Sequence, residues 1–206
     1  MQITKIVVTG GPCGGKSSAV KWIKNAFTAS GYHVLFIPET ATELLVGGVP
    51  LVSHGSVMSF QKSNMGLQLA KERVFLEAAR SLEAEKILIV CDRGVPDNKA
   101  YMTPEDFSRA LASFGLTEED IYGSYDAVFH LVSAAKGAEK YYTTENNTAR
   151  TETPAEAAAL DDRVIAAWQN HPYFYQIDNS TGFEEKMARL IGGITAFLHD
   201  HPGMRG

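Results

Sequence analysis

The chain has 206 residues, of which 45% are hydrophobic and 21% charged, with a formal net charge of −5. Those values fit one globular domain, residues 1–206, with a buried core, and the acidic balance without a Lys/Arg cluster argues against nucleic acid as a partner. Two cysteines are too few for a disulfide framework, and they fit a reducing, cytoplasmic setting.

In chain order, ITKIVVTGG opens as a strand rather than a leader peptide. KIVVT predicts the first buried strand, and a helix follows from Lys16 to Ser30. HVLFI predicts a second strand, with PETATELL after it. SVMSFQKSNMGLQLAKERVFLEAARSLEAE predicts a long helix, with Gly66 as the place for a kink. KILIVC, AVFHLV and YFYQID complete five short β-rich runs, and GFEEKMARLIGGITAFL predicts a closing helix. Continuous apolar strands separated by helical stretches imply an α/β fold with a parallel sheet covered on both faces. The longest apolar run, such as ILIVC, is far below the roughly 20 residues of a membrane span.

Between the fourth and fifth strands, residues 136–170 differ in character. KGAEKYYTTENNTARTE is polar, and Thr153, Pro154 and Glu156 then form a capping box for a helix with Leu160, Val164 and Trp168 on one face. A polar loop and helix inserted between core strands predict a lid. An ordinary surface loop is the alternative.

The chemistry starts at Gly10, where GxxxxGKS runs through Gly11, Pro12, Cys13, Gly14, Gly15, Lys16 and Ser17 to Ser18. Glycines let successive N–H groups turn toward an anion, and a helix N-terminus adds its dipole. Lys16 can reach the β- and γ-phosphates of ATP or GTP, and Ser17 can hold Mg²⁺. A dinucleotide GxGxxG fails at Pro12 and Cys13, and no GxSxG elbow is present.

Asp92 ends the third strand, placed like an acid that orients Mg²⁺, or alternatively one that caps a loop. Arg93 follows where motor ATPases carry glutamate, and Tyr101 stands where a GTPase would carry its guanine-reading aspartate. Glu39, after the second strand, can take or orient the proton of an acceptor hydroxyl, or serve only as a helix-start acid. Gln61 and Asp97 join Glu39 as acceptor-side candidates. Arg150, in the polar stretch, is the candidate cation for the open side of the transferring phosphoryl group, with Arg163 able to assist and Arg93 approaching from the sheet edge. Cys13 follows the first strand and Cys91 ends the third, strands expected to be neighbours, so the two are expected either to be inert buried thiols or to approach within disulfide reach.

VVTGGPCGGKSS, IPETATELL, DRGVPDNKAY and HPYFYQIDNSTGFEEKMARL together resemble small-molecule P-loop kinases. More closely, they are similar to the AAA-type domain of the NadR and TRPL-translocation-defect kind, a P-loop NTPase family, over nearly the whole chain. That resemblance implies a nucleoside/nucleotide-kinase-like fold with a five-stranded parallel sheet, in a family of nicotinamide-riboside kinase and GTP-binding domains. It also implies that Asn179 and its neighbours line the nucleotide-base pocket. The expected activity is Mg²⁺-dependent transfer of a γ-phosphate from ATP or GTP to a small-molecule, nucleoside or nucleotide acceptor. A nucleotide-binding regulatory protein and a slow NTPase are the alternatives. Monomer and homodimer are both open.

Overall fold

The computed structural model describes residues 1–53, 56–138 and 153–202. Its order is β1 (Gln2–Thr9), α1 (Lys16–Ala29), β2 (His33–Ile37), α2 (Thr40–Val46), α3 (Met58–Arg80) and β3 (Lys86–Asp92). A 3-10 segment (Val95–Tyr101), α4 (Pro104–Ser113), α5 (Glu118–Tyr122), β4 (Ala127–Leu131), α6 (Pro154–Trp168), β5 (Phe174–Ile177) and α7 (Phe183–Asp200) follow. Among the described residues, no helix is long and apolar enough to cross a membrane.

The five strands form one parallel sheet, as the β-rich runs and their spacing predict, and their order is β2-β3-β1-β4-β5. Alternation along the strands divides the core in two. Ile3, Val7, Ile87, Ile89, Cys91 and Val128 pack under α3, α4 and α6, whereas Ile6, Val8, Leu88, Val90 and Phe129 pack under α1 and α7. Side chains of period two thus serve both layers, which is why the strands read as unbroken apolar runs.

α3 runs unbroken through Gly66, where a kink was the expectation. A Cβ there would lie 3.2 Å from the Phe114 ring, so the glycine makes room for packing. α4, α5 and α6 each begin at a threonine whose side chain accepts a backbone N–H, at Thr103, Thr117 and Thr153. α6 is fastened to the core by its apolar face, with Val164 and Trp168 fully buried and Leu160 nearly so. Of the expected lid, this helical part is therefore docked, and residues 139–152 lie outside the described residues.

β1 and β3 are in register, with Val8 opposite Asp92, and Arg93 N–H donates to Val8 C=O at 3.1 Å. The loop after β1 and the turn after β3 consequently leave the sheet side by side at its C-terminal edge, where open α/β sheets bind ligands. Gly94 shapes that turn. A Cβ there would sit 2.6 Å from Trp168 Cζ2 and 3.1 Å from Val7 Cγ2, and Trp168 is fully buried. Gly94→Ala should overpack this joint and destabilise the fold by about 1–3 kcal/mol. Thermal denaturation checks this, and a melting temperature equal to the parent's would contradict the packing.

Candidate functional site

The chain turns from β1 into α1 through backbone that only glycine adopts freely. Gly10 has φ 146° and Gly15 φ 96°, while Cys13 accepts φ 56° at some conformational cost. Ideal Cβ atoms on Gly10 and Gly14 would fall 2.1 and 2.5 Å from Leu131 C=O, so the loop lies directly against the end of β4. α1 starts at Gly15 with no side-chain cap and no acid in its first turn. Its N-terminal N–H groups and dipole are left to an external anion.

Groups from elsewhere in the chain fix the loop's peptides. Asp161, on α6 and fully buried, accepts Gly11 N–H at 2.8 Å. Ser133, just after β4, donates its hydroxyl to Pro12 C=O at 2.5 Å. Lys186, on α7, donates to Gly14 C=O at 3.2 Å. In a trans peptide the C=O and the following N–H point opposite ways, and no cis peptide occurs among the described residues. Ser133 and Lys186 therefore turn the N–H groups of Cys13 and Gly15 away from themselves, whereas Asp161 turns the Gly10 carbonyl away from itself. That carbonyl meets the cations of the site: it accepts Lys16 Nζ at 2.8 Å and Arg93 Nη1 at 3.2 Å.

Lys16 also donates to Gly11 C=O at 3.0 Å. Burial and the nearby Arg93 guanidinium lower its pKa to about 8, against the opposing pull of Asp92, Glu39 and Asp97. Arg93, at φ 69°, donates Nε to Glu39 Oε1 at 2.6 Å and Nη1 to Asp97 Oδ1 at 3.3 Å. Burial alone would raise the Glu39 pKa, but Arg93 and Lys16 outweigh it and hold the carboxyl at about 2. Glu39 is the N-cap residue of α2, yet its side chain makes no cap bond; it accepts from Thr42 at 2.7 Å and from Arg93.

Asp92 differs from its neighbours. Burial raises its pKa, only partly offset by Lys16, and its Oδ1 is buried without a hydrogen-bond partner among the described residues. An unsatisfied carboxylate oxygen beside a phosphate loop suits a cation. Ser17 and Ser18 lie exposed on the first turn of α1.

Asp97 is buried and fully engaged. Its oxygens take Thr9 Oγ1, Gly94 N–H at 2.9 Å, Trp168 Nε1 at 2.9 Å and Arg93. It braces the site through Arg93. Gln61 is buried on the face of α3 that also carries Gln68, whose Nε2 donates to Arg93 C=O at 3.0 Å. Asn179 donates Nδ2 to Ser133 and Lys136 carbonyls at 2.7 and 2.8 Å, bracing the loop after β4. Arg163 donates to Ala100 C=O at 2.9 Å, and Arg150 lies outside the described residues. Cys13 is half-buried and Cys91 buried, and no disulfide joins them.

Sequence reasoning did not single out Asp161, Ser133 or Lys186. Asp161 had a signal, since it lies between Leu160 and Val164 on an otherwise apolar helix face. Its Oδ1 also meets His130 Nε2 at 3.0 Å and Ser133 N–H at 3.2 Å, and Oδ2 meets Lys136 at 3.2 Å. Burial opposes its ionisation, but the bonds from His130, Gly11 and Lys136 prevail and its pKa sits at about 2. It is an anion that holds the loop at any physiological pH.

The fold is shared with deoxyadenosine kinase from M. mycoides. The form with bound dATP superposes with a TM-score of 0.59 at 14% identity, covering 93% of this chain and 99% of the other. The form with the products dCMP and a flexible dCDP gives the same TM-score and identity, 0.59 and 14%, over 94% and 100%. No curated protein matches the sequence. A family model described as AAA domain matches residues 5–186, from β1 to Lys186 itself. With the phosphate loop, Lys16 and Asp92 all inside that match, the chain belongs to this AAA-domain family of P-loop NTPases.

Proposed function

We propose that the protein is a phosphotransferase that moves the γ-phosphoryl group of ATP or GTP to a hydroxyl of a small acceptor, of the nucleoside or nucleotide class. The observation that carries this is the Glu39–Arg93 pair, joined at 2.6 Å and tied to the phosphate loop through Gly10 C=O at 3.2 Å. A carboxylate and a guanidinium joined at that edge are the groups that would orient an acceptor hydroxyl and offset the charge on the transferring phosphoryl group.

In this reading the N–H groups of Cys13 and Gly15, with those of Lys16 and Ser17 at the start of α1, receive the β- and γ-phosphates. Lys16 exchanges its contacts with Gly10 and Gly11 carbonyls for phosphate oxygens. Asp92 and Ser17 would hold Mg²⁺, which would supply charge neutralisation to the triphosphate. Glu39 accepts a hydrogen bond from the acceptor hydroxyl and aims its oxygen at the γ-phosphorus. The new O–P bond forms as the bond to the β-phosphate oxygen breaks, and the nucleoside diphosphate leaves. With its carboxyl held at about 2, Glu39 takes the hydroxyl proton late, as a loose phosphoryl-transfer step allows. Arg93 then balances the charge on the transferring group. Gln61 is assigned to the acceptor and Asn179 to the base, and Arg150 is the proposed cation for the open side of the transferring group.

The deciding experiment is incubation with Mg-ATP or Mg-GTP and a panel of nucleosides, nucleotides and other hydroxyl metabolites, with phosphorylated product detected by mass spectrometry. Triphosphate consumed without dependence on any acceptor would instead mark a regulatory nucleotide binder or a slow NTPase.

Three substitutions separate the roles. Lys16→Ala should abolish turnover and weaken Mg-nucleotide binding; wild-type affinity by calorimetry would end the phosphate-site assignment. Glu39→Gln should retain nucleotide affinity while transfer falls by roughly 10²-fold, and an unchanged rate would leave Glu39 as a structural acid. Asp92→Asn should raise the magnesium needed for half-maximal rate; an unaltered magnesium titration counts against its metal role.

A further inference from the structure

The mechanism leaves one buried cation without a task. Lys186 is only 4% exposed, and its three hydrogen bonds all go to neutral oxygens: Gly14 C=O at 3.2 Å, Val132 C=O at 2.7 Å and Asn179 Oδ1 at 2.7 Å. The charged groups facing it are Asp161 from α6, Asp178 from the turn after β5 and Arg189 from its own helix. Both acids are committed elsewhere. Asp161 holds Gly11, His130, Ser133 and Lys136, while Asp178 pairs with Arg189 at 2.8 Å. A buried ammonium without its own anion is costly to keep. α7 could present an apolar residue there, since Met187 and Leu190 on the same helix are fully buried.

The place of that charge is informative. Lys186 holds the oxygen end of the Gly14–Gly15 peptide, so the Gly15 N–H at the other end points away from it, at the uncapped start of α1. A cation on the carbonyl polarises the peptide and makes that N–H a better anion donor. Through Asn179 the same ammonium is tied to the turn after β5 and to the loop after β4.

We propose that Lys186 is a further cation of the phosphate site, positioned behind the loop, where it orients and polarises the Gly14–Gly15 peptide and counterbalances the nucleotide's phosphates. The inference rests on the phosphate site proposed above. Lys186 touches no phosphate in this scheme; it is a positioning residue. Burial lowers its pKa to about 8, with Asp161 and Asp178 opposing. Bound phosphates favour the ammonium and raise that pKa. The bound protein therefore holds more protons than the free one above pH 8, and affinity must fall as pH rises. Lys16, on the other side of the loop and also at about 8, contributes in the same direction. Only variants of Lys186 separate the two.

The test is calorimetric binding of Mg-ATP and Mg-ADP to wild type, Lys186→Met and Lys186→Arg from pH 6.5 to 9.5, in buffers that differ in ionisation enthalpy. Lys186→Met should bind roughly 10–100-fold more weakly at neutral pH, the range for one buried charge-assisted bond. It should also show a smaller fall in affinity above pH 8. Lys186→Arg should regain most of the neutral-pH affinity while also losing that part of the fall. Independently of any variant's folding, the Lys186 ¹³Cε resonance of wild type, titrated with and without Mg-ADP, should move its midpoint upward by about one pH unit or more. Wild-type affinity and pH profile in Lys186→Met, or a ¹³Cε midpoint unmoved by Mg-ADP, overturns the role of Lys186 alone. A wild type that binds neither nucleotide overturns the phosphate site and this inference together.

Discussion

The orientation of a few peptide planes between Gly10 and Gly15 is the constraint on which the site depends. Glycine permits the turn, but permission is not specification: a loop with free φ and ψ has many alternatives, and fixing each residue costs about 1–2 kcal/mol. Here the choice is made from outside. A carboxylate on α6, a hydroxyl after β4 and an ammonium on α7 each hold one end of a loop peptide. The sheet supplies the fourth wall through Leu131 C=O. The loop is therefore preorganised by elements that are themselves buried in both halves of the core, and its geometry is as stable as the domain.

Charge is arranged around the same loop in two shells. At the mouth, Lys16 and Arg93 stand among Glu39, Asp92 and Asp97, so acids already attend both cations. Arg93 is held by Glu39, Asp97 and the Gly10 carbonyl together, which fixes a left-handed residue that would otherwise be strained. Behind the loop, Asp161 and Lys186 sit among neutral and cationic partners. Glu39 and the phosphate loop are thus mechanically one unit, joined through the Arg93 guanidinium.

Local spacing made part of this legible in the sequence. GxxxxGKS names its own residues because strand, turn and helix follow one another without interruption, and Asp92–Arg93 and Glu39 were found by their place at strand ends. The bracing groups were not, because they reach the loop from more than 120 residues away in the chain. Lys186 also follows Glu184 and Glu185, so it looks like part of a solvated charge run, although the helix turns it inward. Among the elements, neither α4 nor α5 was read from the sequence, and α5, five residues long, is too short for any period to show. Trp168 was legible as an apolar face residue, but its bond to Asp97 is a tertiary contact that no pattern announces.

That tryptophan also gives the molecule an optical property. The chain has two tryptophans, and only Trp168 is wholly out of water; Trp22 is 40% exposed on α1. The indole N–H of Trp168 donates to Asp97, the carboxylate that also holds Arg93. An indole's emission depends on the charge and polarity around its ring, so any movement of Arg93 toward a bound anion changes the field at Trp168. The blue edge of the protein's intrinsic fluorescence therefore reports on the guanidinium that joins Glu39 to the phosphate loop, with no label attached.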